Sequence, residues 1–440
     1  MRDLFLTRRF FVVGGIAVLL FALSFGWEWL FVPAQVCWWG LLALTVGEII
    51  QTFGRLVAPL EVERQVAGQM SLGDENAVIL TIHNRSDRAL SLTVIDELPP
   101  VFQERDFALL LRIAPRQRQQ LRYVLRPPER GVHAFGDVLV LVRSRWGMIE
   151  RRMRFGLARQ VSVYPSLIQM RRYELIASSR LAQAYGLRQL RRLGHSYEFE
   201  QIKNYVPGDD YRSINWKATG RQNALMVNQY QDERAQQVYL ILDKSRLMQM
   251  PFDGMSLLDY AINAALVIAN LALKKQDKAG LMTFADRMED YLPAESRSGQ
   301  IQKIYQCLYR QRTQFPEANY EALYQSIRSR VGQRSLLLLF TNHESRSSLE
   351  RNLPLLRQIN QSHLLVVILF ENTEIHRFLA TPPNPSQIPM RIMARKSLQE
   401  KKQVAQLLSS HGIQYLLTTP ESLSMHTVNK YLELKARGLI

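Results

Sequence analysis

Cysteine is scarce in this chain: Cys37 and Cys307 are the two in 440 residues. Two thiols so far apart exclude a disulfide framework and suit a reducing compartment. Acidic residues are also short, 39 against 56 basic ones, which leaves a formal net charge of +17. A surplus of that size admits two broad partners, nucleic acid or an anionic membrane surface. The nucleic-acid reading lacks its patterns. There is no zinc-finger spacing, no RNA-recognition signature and no helix with a dense basic face interleaved with aromatics. The charge is dispersed instead, over Arg8-Arg9, Arg151-Arg152-Arg154, Arg171-Arg172, Arg188, Arg191-Arg192 and Lys401-Lys402. The membrane reading is therefore preferred, and no specific nucleic acid is expected. Paired nucleophile and base are missing too. His195 precedes Ser196 without a motif to couple them, and His83, His133, His411 and His426 stand alone. The chain reads as a non-enzyme, with no catalytic residue to assign.

Long apolar runs are present. Residues 10–32 form one of roughly spanning length, and a second runs from Val36 to Phe53 after a break at Pro33. Trp27, Trp29, Trp38 and Trp39 cluster around the connection, as interfacial aromatics do. Arg2, Arg8 and Arg9 precede the first run and Arg55 follows the second, while the connection carries no basic residue. That asymmetry places both ends inside, so residues 1–55 read as a transmembrane hairpin with everything after them cytoplasmic. A cleaved signal peptide is disfavoured by the second run.

Residues 56–165 switch to period-two stretches such as AVILTIHN, LSLTVIDELP and DVLVLVRS, punctuated at Asn84-Arg85-Ser86, Pro99-Pro100 and Pro127-Pro128. This predicts an antiparallel β-sandwich-like domain serving as a spacer or interaction module. Residues 166–230 are a basic connector. From 231 to 440 strands and helices alternate. QQVYLILD, AGLMTFA, SLLLLFT, HLLVVILF and IQYLLTT are strand-like, and SLLDYAINAALVIANLALKK is a long helix. That order predicts a mainly parallel sheet with helices on both faces and ligands at the carboxyl ends of its strands. No glycine-rich loop follows the first strand, so a nucleotide-binding reading is poor.

The connector holds the most distinctive stretch, EFEQIKNYVPGDDYRSINWKATGR, from Glu198 to Arg221. It is too polar for a core strand, and Pro207-Gly208-Asp209-Asp210 is dense turn chemistry. We expect an exposed loop and short helix, pinned by Phe199, Tyr205, Ile214 and Trp216. Ion pairs should link Asp209 and Asp210 to Arg212, Lys217 and Arg221. The order Glu198-Phe199, Tyr205-x-Pro207-Gly208-Asp209-Asp210, Arg212-x-Ile214-Asn215-Trp216-Lys217 and Arg221 resembles the signature of a bacterial family. That family is the domain-of-unknown-function family numbered fifty-eight, whose members are called MoxR-associated or von Willebrand factor A-like.

The resemblance implies a von Willebrand factor A-like α/β domain and a MoxR-type AAA+ ATPase as protein partner. It also implies a place in the bacterial inner membrane. Such domains end their first strand with Asp-x-Ser-x-Ser, part of a site for Mg²⁺ held by hard oxygens. Here Asp243 and Ser245 fit, Leu247 replaces the second serine, and Asn342 stands where a later aspartate would fall. Ser296 and Ser298 are the candidates for the site's threonine. Lys244 and Arg246 oppose a cation, so no cofactor is certain and Mg²⁺ is the ion to test. The leading expectation is a membrane-anchored scaffold or adaptor aiding assembly or maturation of protein complexes. Two alternatives are a metal-dependent hydrolase built on Asp209, Asp210 and Asp243, and a membrane-tethered nucleic-acid binder.

Overall fold

The structure is a computed structural model. It describes residues 3–54, 60–104, 107–144, 146–178, 198–206, 211, 214–222, 224–231, 235–313, 315–382 and 385–439. The chain divides into two compact units, Met1–Tyr164 and Pro165–Ile440.

The first unit opens with a short strand, β1 (Leu4–Leu6), and two apolar helices, α1 (Arg8–Leu23) and α2 (Phe31–Gly54). The break between the helices falls at Ser24–Trp27 and a tight turn at Glu28–Leu30, not at Pro33. Pro33 lies in the first turn of α2, where a missing N–H costs no intrahelical bond. The stretch Glu28–Ile50 is long and apolar enough to cross a membrane. The 16 residues of α1 fall short of the roughly 20 that a perpendicular span needs.

Strands follow in quick succession: β2 (Leu60–Gln65), β3 (Gln69–Ser71), β4 (Asn76–Asn84), β5 (Leu90–Asp96) and β6 (Ala108–Ile113). Then come β7 (Arg118–Leu125), β8 (Gly131–Phe135), β9 (Val138–Arg143), β10 (Ile149–Phe155) and β11 (Arg159–Tyr164). They form three sheets ordered β1-β10-β9-β5-β6, β2-β4-β7 and β3-β11-β8. Pairing is antiparallel except between β3 and β11. Alternation is the cause: Val78, Leu80 and Ile82 on β4, and Val138, Val140 and Val142 on β9, face inward at period two.

A buried polar cluster joins two of these sheets. Arg64 of β2 donates to Asp96 of β5 at 2.6 Å, and Tyr123 of β7 donates to the other Asp96 oxygen at 2.5 Å. Burial and the adjacent Asp96 carboxylate push the Tyr123 hydroxyl far above its ordinary range. A second buried acid ties the helices to the strands. Glu48 of α2 accepts from Ser144 Oγ and Trp146 N, both at 2.7 Å, and from Met148 N at 3.2 Å. Thr7, just ahead of α1, donates its N–H to Met148 O at 2.9 Å in the same loop.

The second unit begins with α3 (Leu167–Ser178) and then the antiparallel hairpin β12 (Glu198–Asn204) and β13 (Met226–Gln231), with α4 (Trp216–Gln222) between them. The polar composition of Glu198–Asn204 led us to expect a loop. It forms a strand because β13 supplies a partner. Beyond it the chain alternates: β14 (Gln237–Asp243), a small hairpin β15 (Pro251–Phe252) and β16 (Met255–Ser256), α5 (Leu257–Lys274), β17 (Lys278–Phe284), β18 (Met288–Glu295), α6 (Gln300–Arg310) and α7 (Tyr320–Arg330). It ends with β19 (Leu336–Phe340), α8 (Arg346–Ser362), β20 (Leu364–Phe370), α9 (Thr373–Ala380), α10 (Ile388–Ser410), β21 (Gln414–Thr418) and α11 (Leu423–Ala436).

The sheet order is β18-β17-β14-β19-β20-β21, parallel except for the edge strand β18. Strands β14, β19 and β20 are buried almost throughout, as helices on both faces require. Helix α5 is also long and apolar enough to cross a membrane, but 83% of it is buried inside this unit as a core helix. Gly280 on β17 admits the Tyr239 ring, which an added Cβ would meet at 2.6 Å.

Asp96→Ala would leave the Arg64 guanidinium buried and unpaired. We expect a loss of about 3–5 kcal/mol, read by chemical denaturation of the purified chain, with Asp96→Leu/Arg64→Met losing much less. Equal losses in both variants would mean that packing, not charge pairing, holds the two sheets.

Candidate functional site

Strands buried on both faces leave function to their ends. The first strand, β14, lies between β17 and β19, and the chain winds outward from it in both directions. A reversal of that kind opens a crevice at the carboxyl ends of the strands. Asp243, the last residue of β14, is 1% exposed there. Its Oδ1 accepts from Ser245 N at 2.8 Å and its Oδ2 from Thr341 Oγ1 at 2.7 Å. Burial raises the carboxyl's pKa, and these bonds oppose the rise by favouring the ionised form. Ser245 Oγ is buried beside it without a well-formed bond of its own, though its polarity acts in the same direction.

The network runs on from Thr341. Tyr320 OH lies 2.8 Å from Thr341 Oγ1 and 3.0 Å from His343 Nε2, and His343 Nδ1 lies 3.4 Å from Ser348 Oγ. With Asp243 ionised, counting donors sets the direction of these bonds. Thr341 spends its only proton on Asp243, so Tyr320 must donate to Thr341. His343 then donates from Nε2 to Tyr320 and accepts from Ser348 at Nδ1. The imidazole is neutral in this arrangement. Burial, helped by the nearby Lys401 charge, pushes its pKa down to about 3. Burial and the Asp243 charge together push the Tyr320 hydroxyl well above its usual range.

Lys401 of α10 completes the arrangement. Its Nζ donates to Asn342 Oδ1 and, at 2.9 Å, to His343 O. Burial lowers its pKa to about 8 against the opposing pull of Glu344 and Glu371. A cleft of about 210 Å³ opens beside it, with Asn342, Lys401, Glu344 and Glu371 among its polar lining. Met250, Phe252, Leu257, Phe370, Ile375 and Leu398 supply its apolar wall.

Of the residues expected in a metal site, the structure brings Asp243, Ser245 and Asn342 to this end of the sheet. Ser296 and Ser298 go elsewhere. They follow Glu295, which pairs with Ala279 at the start of β17, so they lie at the opposite end of the strands. The hydroxyl beside Asp243 comes from Thr341 instead. Lys244 and Arg246 do not act as bare cations, since Lys244 pairs with Glu289 and Arg246 with Glu317. Asp243 has both oxygens occupied and Asn342 is held by an ammonium group, a poor donor set for Mg²⁺. Among the described residues no cluster of three His, Cys, Asp or Glu side chains could hold a metal.

The distinctive stretch is described in part. Pro207, Gly208, Asp209, Asp210 and Arg212 lie outside the described residues, as do His195 and Ser196. Glu198 and Phe199 belong to β12. Tyr205 N donates to Leu225 O at 2.8 Å, and Ile214 forms a β-bridge with Val227. Asn215 caps α4 by accepting from Ala218 N, and its own N–H binds Met226 O at 2.8 Å. Trp216, expected as an anchor, is 72% exposed, and Lys217 and Arg221 are exposed beside it. Backbone bonds to β13 hold the described part of this segment. None of its described residues lines the cleft. His83 lies 3.5 Å from Glu61 on the neighbouring strand, and His133 lies 3.1 Å from Glu129 O. His411 binds Leu407 O at the end of α10, and His426 binds Thr418 Oγ1. Sequence reasoning missed Tyr320, His343 and Lys401. The one signal for them was Thr-Asn-His directly after a buried strand.

Residues 201–375, less than half of the chain, match the family model described as "Protein of unknown function DUF58". The "Uncharacterized protein YeaD" of Bacillus subtilis (strain 168) is 27% identical over 182 residues, which is 40% of this chain and 45% of that protein. Thus the match spans less than half of the relative's length. Among solved structures, BatB from Bacteroides thetaiotaomicron aligns at a TM-score of 0.31 with 15% identity, over 46% of this chain and 100% of that one. Proximal thread matrix protein 1 from the mussel byssus aligns at 0.27 with 13% identity, over 46% of each chain.

His343 titrates near 3 in the folded chain against an ordinary 6.5. A depressed folded pKa means its contribution to stability is whole above about pH 6.5 and is lost as pH falls toward 3. Chemical denaturation at pH 7 and pH 4.5 should show a smaller acid loss for His343→Gln than for wild type. Parallel losses would place the acid sensitivity elsewhere.

Proposed function

We propose that this chain, which matches the DUF58 model over residues 201–375, is a membrane-anchored cytoplasmic scaffold or adaptor. Its second unit, in this reading, is a von Willebrand factor A-like domain that presents strand-end loops to a protein partner. The family resemblance suggests a MoxR-type AAA+ ATPase as that partner, in the assembly or maturation of protein complexes. The strand order with its antiparallel edge supports the fold assignment. The apolar stretch Glu28–Ile50 and the shorter α1 support the anchor, with the inner membrane of a bacterium as its place.

The observation that carries the binding reading is the cleft at the strand ends. Its wall is apolar, and the titratable groups Asp243, Tyr320 and His343 are buried and bonded to one another rather than aimed into it. A pocket of that kind recognises a shape more readily than it drives a reaction. The first turns of α10, which also contributes to the cleft, expose Ile388, Met390, Ile392 and Met393. Exposed apolar groups in one place mark interaction surfaces, and methionine adapts to varied partners. Net charge favours an acidic partner surface overall. The cleft itself carries Glu344 and Glu371, so its apolar wall rather than its charge would meet the partner.

The test uses full-length protein in detergent and a cognate ATPase without nucleotide, with ADP and with a non-hydrolysable ATP analogue. Ser397→Trp places a ring over the cleft mouth and should weaken association at least tenfold with the melting temperature unchanged. Absence of association in every nucleotide state would remove the ATPase. Equal binding by the variant would remove the cleft.

A further inference from the structure

We propose that the Lys401 ammonium is the resident cation of the strand-end site. It binds Asn342, the residue that stands where such a domain's later metal-holding aspartate would fall, so the cleft meets its partner without metal. The part concerning a partner rests on the functional reading above. The part concerning the cation stands on the geometry alone.

Three observations converge. Asn342 directly follows Thr341, the residue bonded to Asp243, and its side-chain oxygen is given to Lys401. An amide there instead of a carboxylate removes one negative charge, which suits a single positive charge better than two. Lys401 also takes the carbonyl of His343, the kind of hard oxygen a cation seeks at strand ends. Finally, the Asp243 oxygens are turned to Ser245 N and Thr341 Oγ1, so the acid stabilises the loops rather than an ion. A divalent ion entering this end of the sheet would face the ammonium at close range with Asp243 as the only buried carboxylate among these groups.

A tethered cation differs from a bound one in a way that matters for function. Metal occupancy depends on concentration and on chelators, whereas Lys401 is always present at its own site. The strand-end loops are then ordered before any partner arrives, and chelation leaves association intact.

The experiment is a Mn²⁺ titration of full-length, chelator-stripped protein in detergent, followed by electron paramagnetic resonance and calorimetry. Wild type is compared with Lys401→Met, Asn342→Asp and the double variant Asn342→Asp/Lys401→Met. Wild type should bind no Mn²⁺ below millimolar concentration, and the double variant should bind at least tenfold more tightly than either single one. Wild-type binding that disappears in Asp243→Ala would overturn the proposal even if every Lys401 variant failed to fold. A folded double variant that gains nothing would overturn it too, since lysine would then not occupy a cation position. Neither result bears on whether the ATPase binds, so the two readings fail separately.

Discussion

A carboxylate removed from water must be met by donors, and Asp243 meets that condition where the winding of the sheet reverses. Its two oxygens take one backbone amide from its own turn and one hydroxyl from the end of β19. That second bond commits Thr341, which in turn commits Tyr320 and His343 to fixed donor roles. The loop after β19 is thereby held in one conformation, and its Asn342 oxygen and His343 carbonyl are left facing α10. Lys401 fills that need and draws the helix over the strand ends. The cleft is the space left beside this arrangement. Low local polarity strengthens each bond in such a chain and raises the penalty for breaking any of them.

Much of the α/β unit was legible in the sequence because its strands are continuous apolar runs and its helices repeat at helical spacing. QVYLILD, LLLLF and LLVVILF read plainly as strands, and the family resemblance then picked out Asp243 and Asn342 at their ends. Strand β18 was not legible. An edge strand covered on one side has a mixed pattern, MEDYLPAE, without a buried run. Tyr320, His343 and Lys401 were missed for a different reason. Tyr320 looks like the apolar start of a helix, and Lys401 like one more charge on a solvated helix face. Only tertiary packing brings residues 243, 320, 343 and 401 together. The same holds for Arg64, Asp96 and Tyr123, three ordinary strand residues whose meeting across two sheets no local pattern announces.

Net charge proved a coarse guide to chemistry. The surplus of basic residues suggested open positive surface, yet many of the described cations are matched locally. Arg116 is paired with Asp87, Arg118 with Glu63 and Arg126 with Glu75. Exposed pairs of this kind contribute little stability and mainly set the surface pattern. The cleft is lined by one lysine and two glutamates, so its local balance is opposite to that of the chain. A surface of mixed sign around an apolar centre discriminates by fit, and long-range attraction then acts on approach more than on specificity.

Glu48 shows how the apolar helices and the strands of the first unit depend on one another. An acid on an otherwise apolar helix is costly in lipid and is tolerated where protein donors receive it. Here the donors are Ser144, Trp146 and Met148, all from the connection between β9 and β10. Thr7 binds the same connection from the start of α1, and β1 extends the sheet through β10. Both helices are therefore registered on a single loop. In a membrane-anchored chain the bilayer could not tilt them independently of the sheet without leaving the Glu48 carboxylate buried and unmatched. Through that one loop the two helices and the strands beside them are held as one piece.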